Sequence, residues 1–89
     1  MSHSPLPLSL LPVESAARIE RYLSSDPALR RFRELGMLPG SAIRVVRRAP
    51  MGDPIEVAIG SSLLSIRKEQ AAMIEVTPLP AVEAAPSKE

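Results

Sequence analysis

The chain has 89 residues, ten of them proline, with one Phe, one Tyr and no Trp, so it has room for one small domain whose core must be aliphatic. It contains no Cys, which removes disulfides, thiolate catalysis and Cys-ligated zinc or iron–sulfur sites, and which fits a reducing compartment. Formal net charge is +1, so there is no global field of the kind that holds a protein on nucleic acid or on an anionic membrane.

Residues 1–7 are rich in Ser and Pro, show no periodicity, and read as a flexible lead-in. This start lacks Lys and Arg, prolines interrupt its apolar residues, and no run in the chain approaches the ~18 apolar residues of a membrane helix. Neither a secretory leader nor direct membrane insertion is expected. Leu8, Leu10 and Leu11 are expected to pack on the domain before Pro12 turns the chain. From Ser15 to Leu23 the pattern places Ala17 and Ile19 on one side and Arg18 and Glu20 on the other, as in a half-buried strand. Because Ala is a weak strand former, a helix is the competing reading of this segment.

Asp26 to Leu35 carries a helix start and a helix stop in the right order. Asp26 can cap, and Pro27 suits the first helical position, where its missing N–H costs nothing. Gly36 stands where a left-handed residue closes a helix, Met37 where the chain touches back on the last turn at Phe32, and Pro39 forbids continuation. Pro39-Gly40 then turns into the strand Ala42–Val46, with Ile43 and Val45 on one face, Arg44 and Val46 on the other, and Arg47-Arg48 at its exit. A strand apolar on both faces suits a chain that bends across a small barrel.

Two prolines with Gly and Asp make Ala49–Pro54 an exposed loop. Ile55–Ile59 alternates cleanly, Gly60-Ser61-Ser62 supplies a tight turn, and Leu63–Arg67 returns antiparallel with Leu64 and Ile66 inward. Lys68–Met73 is about one helical turn, and Ile74–Thr77 alternates again. From residue 78 to 89 the composition shifts to Pro, Ala, Glu, Ser and Lys and reads as a disordered tail. The domain is thus expected over 8–77, mainly β: a small SH3-like five-stranded barrel with one inserted short α-helix.

No catalytic constellation is present. The one His is His3, so a triad, a His general base and a His metal cluster are all unavailable. Asp53 and Glu56 could pair as acid and base, but alternation aims Glu56 at solvent. Gly36 and Gly40 flank a turn instead of lying on an apolar helix, and no Gly is followed by Lys-Ser or Lys-Thr as a phosphate loop requires. Arginines cluster at 30, 31 and 33 and at 47 and 48, and read as a solvated face. With Tyr22 and Phe32 the only aromatics, the stacking platform of a nucleic-acid-binding barrel is missing.

Three stretches carry a family likeness: Leu29-Arg30-Arg31-Phe32-Arg33-Glu34-Leu35-Gly36-Met37-Leu38-Pro39-Gly40, then Val45 to Val57 through Ala49-Pro50-Met51-Gly52-Asp53-Pro54-Ile55, and Ile66 to Ile74. Together they resemble the FeoA family, ferrous iron transport protein A, over about Leu8 to Thr77. The resemblance implies an SH3-like fold and no enzyme activity; from the residues themselves, no cofactor and no metal-ligating site are expected. It also implies a place in the cytoplasm beside the membrane ferrous-iron transporter, whose cytoplasmic domain binds and hydrolyses GTP.

A chain without chemistry of its own, matching that family, is expected to act as a protein-binding module on the transporter, held at the inner face of the membrane through it. Candidate contacts are Met37, Leu38 and Pro39 at the helix exit, and Arg47, Arg48, Met51 and Asp53 at the long loop. Core packing competes for Met37 and Leu38. The alternative is a metal-binding domain, an iron chaperone or sensor, for which one His and dispersed carboxylates are a poor ligand set. A weak homo-oligomer is compatible with either reading.

Overall fold

The computed structural model of the chain describes residues 4–80. Six strands follow one another: β1 (Leu6–Pro7), β2 (Ala16–Tyr22), β3 (Ala42–Arg48), β4 (Ile55–Ile59), β5 (Ser62–Ile66) and β6 (Ile74–Pro78). They form one antiparallel sheet in the order β1-β6-β2-β3-β4-β5. The sheet wraps one core in the manner of an SH3-like barrel. The expected five strands become six because Leu6 and Pro7, assigned to the lead-in, lie opposite Val76 and Glu75. Proline is tolerated there because an edge strand needs few N–H donors. At the other end β6 reaches Pro78, and the Leu79 N–H donates to the Ala16 carbonyl at 3.0 Å, so order continues past the expected boundary at 77. The tail beyond Pro80 and the first three residues lie outside the described part.

The alternation read from the sequence sets the faces. Ile55, Val57, Ile59, Leu64 and Ile66 are all buried and join Ala17, Ile19, Ile43, Val45, Ile74 and Val76 in one cluster, closed by Leu29, Phe32 and Met37 from the helical segment. Leu8 and Leu11 are buried as expected, but Leu10 is 65 % exposed. The reason is local: residues Leu8–Leu10 form a 3₁₀ turn, which cannot bury all of its side chains on one side.

The helix at 26–35 is split. Pro27–Leu29 is a 3₁₀ turn, with the Asp26 carboxylate accepting from the Ala28 N–H at 2.9 Å, and α1 (Arg30–Glu34) follows. The exit is a Schellman motif: the Met37 N–H donates to the Phe32 carbonyl (3.0 Å) and the Gly36 N–H to that of Arg33 (3.1 Å), with Gly36 at φ +107°. The second helix, α2 (Lys68–Ala71), is one turn before β6.

Two bulges bend the barrel. Pairing jumps between Ile19 and Arg21 against consecutive Val76 and Glu75, leaving Glu20 as the extra residue in β2. It jumps between Val45 and Arg47 against Val57 and Glu56, leaving Val46 as the extra residue in β3. Each bulge reverses the alternation beyond it. Tyr22 therefore falls opposite Ile74, and Arg48 opposite Ile55, both on the inner face.

Candidate functional site

The seven residues singled out in the sequence do not form one surface. The helix exit feeds into Ala42 at one end of β3, and the long loop leaves Arg48 at the other. Seven extended residues put roughly 20 Å between them.

At the helix exit, Met37 is fully buried against the core and offers no contact. The Schellman geometry explains this, because it folds the residue after the glycine back over the helix, here onto the side of Phe32. Leu38 and Pro39 are exposed, and the Ser41 N–H donates to the Leu38 carbonyl (2.9 Å) across a turn with Pro39 and then Gly40 at φ +94°, the arrangement of a type II turn. The apolar surface at this corner is therefore Leu38 and Pro39 with Leu35, which is 44 % exposed and which the sequence reading placed only as a helix end.

Tyr22 was also missed as part of this corner. Its hydroxyl donates to the Met37 carbonyl at 2.7 Å, and the Arg33 guanidinium sits 4.2 Å from the centre of its ring. Burial pushes the phenol pKa above its ordinary value, with the Arg33 charge opposing the shift.

The long loop is tied at both ends. At its start, Arg48 is half-buried and its Nη2 donates to the carbonyls of Ser9 (3.0 Å) and Leu11 (2.6 Å), clamping the 3₁₀ turn against the end of β3. At its end, the Asp53 carboxylate accepts from the Lys68 N–H at 2.9 Å, capping α2 from a distance in sequence, and lies 3.9 Å from the Arg67 guanidinium. Between these anchors the Ala49 N–H donates to the Pro54 carbonyl (3.0 Å) and the Gly52 N–H to that of Ala49 (2.7 Å). Met51 projects from the crown, 89 % exposed. Arg47 points outward and faces Glu56 across the ladder at 3.8 Å, an exposed pair worth little energetically. Of the four loop candidates, Arg48 and Asp53 thus hold the loop, and Met51 and Arg47 present it.

A third feature carried no sequence signal. A cleft of about 410 Å³ opens between Leu6, Leu11, Pro12 and Ala16 on one side and Pro78 and Leu79 on the other, with Glu14 on its lining. It is assembled from three separate parts of the chain. Glu14 has φ +70°, and its N–H donates to the Val45 carbonyl at 2.7 Å. Among the described residues no three His, Cys, Asp or Glu come together as a metal-holding group, and no helix is long and apolar enough to cross a membrane.

Residues 6–78 match the family model described as FeoA domain. The fold is shared with the solution structure of a FeoA protein from Chlorobium tepidum, at 35 % identity over 84 % of this chain and 71 % of that one, with a TM-score of 0.79. It is shared with iron(II) transport protein A from Clostridium thermocellum, at 36 % identity over 83 % of this chain and 46 % of that one, with a TM-score of 0.78. A zinc complex of FeoA from Stenotrophomonas maltophilia, described as a procaryotic SH3 domain protein and a candidate ferrous iron transport activating factor, is 34 % identical over 78 % of this chain and 86 % of that one, with a TM-score of 0.67.

Proposed function

The chain belongs to the FeoA family, and from that premise we propose that it is an accessory protein of ferrous iron uptake that docks on the cytoplasmic GTP-binding domain of the membrane ferrous-iron transporter and regulates or assembles it. The observation that carries the reading is the form of the 49–54 loop. A side chain 89 % exposed, Met51, stands on a loop whose two ends are fastened by Arg48 and Asp53. Such a loop loses little freedom on binding, so the apolar area of Met51 is not offset by an ordering cost. Arg47 lies outward at the base of the same loop and adds a charge beside the apolar contact. Leu38 and Pro39, at the opposite end of β3, give a second and separate contact on the same partner.

The protein works by contact and not by catalysis in this reading. The absence of Cys removes a thiolate nucleophile, and the single His is His3. Its place is the cytoplasm, beside the membrane through the transporter. Calorimetric titration of the purified chain into the transporter's cytoplasmic portion tests the proposal: saturable binding is expected, and no heat at high micromolar concentration would sink it. GTP hydrolysis measured with and without the chain then separates a regulator from an assembly factor. Tight one-to-one uptake of iron(II) by the chain alone, without transporter binding, would favour the chaperone or sensor reading instead.

A further inference from the structure

Strand β5 ends the sheet, and among the described residues no strand pairs with its outer edge. Gly60 and Ser61 make a two-residue turn, with Gly60 at φ +58°, so the closing pair Ile59 and Ser62 exchanges hydrogen bonds. Along an antiparallel ladder such pairs alternate, which assigns Val57–Leu64 and Ile55–Ile66 to the bonded set. The backbone N–H and C=O groups of Leu63 and Ser65 therefore face away from β4. None of these four groups has a partner among the described residues. The side chains of the same two residues are exposed, Leu63 at 59 %.

Edge strands in natural proteins are blunted by charge, proline, bulges or a covering segment. The β1 edge follows that rule, being two residues long and including Pro7. The β5 edge does not: Ser62-Leu63-Leu64-Ser65-Ile66 has no charge and no proline, and it pairs with β4 without a bulge.

We propose that β5 pairs antiparallel with β5 of a second copy of this chain, joining the two sheets into one across a two-fold axis centred on Leu64. The occupant follows from the strand itself. An isologous pairing sets each residue against its own strand, so any charge within it would meet a like charge nearby. Residues 62–66 carry none. In the register centred on Leu64 all five residues pair, Leu63 falls opposite Ser65 of the other copy, and Arg67 falls opposite Ser61 instead of a second arginine. The two Leu63 side chains then become diagonal neighbours on the outer face, within reach of one another, and cover apolar area that the single chain exposes. A net charge of only +1 per chain puts little long-range repulsion in the way. Five residue pairs fall short of the roughly 1,200 Å² that a stable interface buries, so the dimer is weak and concentration-dependent.

Sedimentation velocity on the full chain, from low micromolar to millimolar protein, tests this. The weight-average mass should rise from the 9.6 kDa of one chain toward twice that value. Ser65→Pro deletes an edge-facing N–H without touching a bond to β4, and Leu63→Lys places like charges side by side in the dimer. Both variants should keep the mass of one chain at millimolar concentration, while Met51→Asp should associate like the parent. Should Ser65→Pro fail to fold, Leu63→Lys, at an exposed side chain, retains the test. The Leu63 and Ser65 amide protons should gain protection from exchange as the parent is concentrated. A single-chain mass at every concentration would overturn the proposal, and so would a dimer that Leu63→Lys leaves as strong as before.

Discussion

The Tyr22 hydroxyl donates a 2.7 Å hydrogen bond to the backbone carbonyl of Met37, joining the end of β2 to the residue that follows the Gly36 helix stop. Arg33, from α1, lies over the same ring. One aromatic side chain thus fixes the helix exit against the sheet, and with it the position of Leu38 and Pro39.

Tyr22→Phe keeps the ring and removes the bond, leaving the Met37 carbonyl without its donor. A loss of about 1 kcal/mol is expected, read from the urea midpoint at neutral pH. Because burial holds the phenol pKa above 10.0, the folded chain keeps the proton longer than the unfolded chain does. The tyrosine's contribution is therefore complete below pH 10 and is lost as pH rises above it toward the folded-state value. The Phe variant should lack that alkaline decline. Equal midpoints for parent and variant at neutral pH would show that the bond contributes nothing net.

Gly36 adopts φ +107°, and nothing lies within 4 Å of where a Cβ would stand. The space is open, so the cost of a side chain there is backbone strain alone. Gly36→Val should destabilise by about 1 to 3 kcal/mol, because a β-branched residue resists positive φ. Thermal unfolding of the two proteins measures it, and matching melting temperatures would place the helix stop elsewhere.

Asp53 caps α2 across the loop. Asp53→Ala should cost about 1 kcal/mol, in the range of a lost helix cap, and Asp53→Asn should recover most of it because the amide oxygen still accepts from the Lys68 N–H. Amide exchange at Lys68 should quicken in the Ala variant. If the Asn variant were as unstable as Ala, the charge facing Arg67 would be the stabilising feature and the hydrogen bond would not.

Met51→Asp should leave the unfolding midpoint within about 0.5 kcal/mol of the parent, since an exposed loop side chain has no packing to lose. Binding to the transporter's cytoplasmic portion should weaken at least tenfold in calorimetry if the loop is the contact. Parent-like affinity in the folded variant would move the contact to Leu35, Leu38 and Pro39.

Much of the fold was legible in the chain because its signals are local. Alternation in Ile55–Ile59, the Asp26-Pro27 start, the Gly36 stop and a turn at Gly60-Ser61-Ser62, of which Ser62 proves to open β5, each depend on residues within one or two turns of one another. The candidate site was legible only in part. Met51 stood out because proline and glycine on either side forbid regular structure, whereas Met37 and Leu38 looked alike: which of two neighbouring apolar residues is buried depends on how the closed helix lies on the sheet.

What the sequence alone determined is the helix stop at Gly36, the turn after Ile59 and which side chains alternate within Ile55–Ile59 and its return strand. What only the tertiary structure decided is what happens beyond the two bulges, at Glu20 and Val46. Simple counting from Ile19 and Val45 would have turned Tyr22 and Arg48 outward. An extra residue in each strand turned them inward, where one meets the Met37 carbonyl and the other the carbonyls of Ser9 and Leu11. A bulge is a mismatch between two paired strands, and the partner strands here, β6 and β4, lie far along the chain. No reading of either strand by itself contains it.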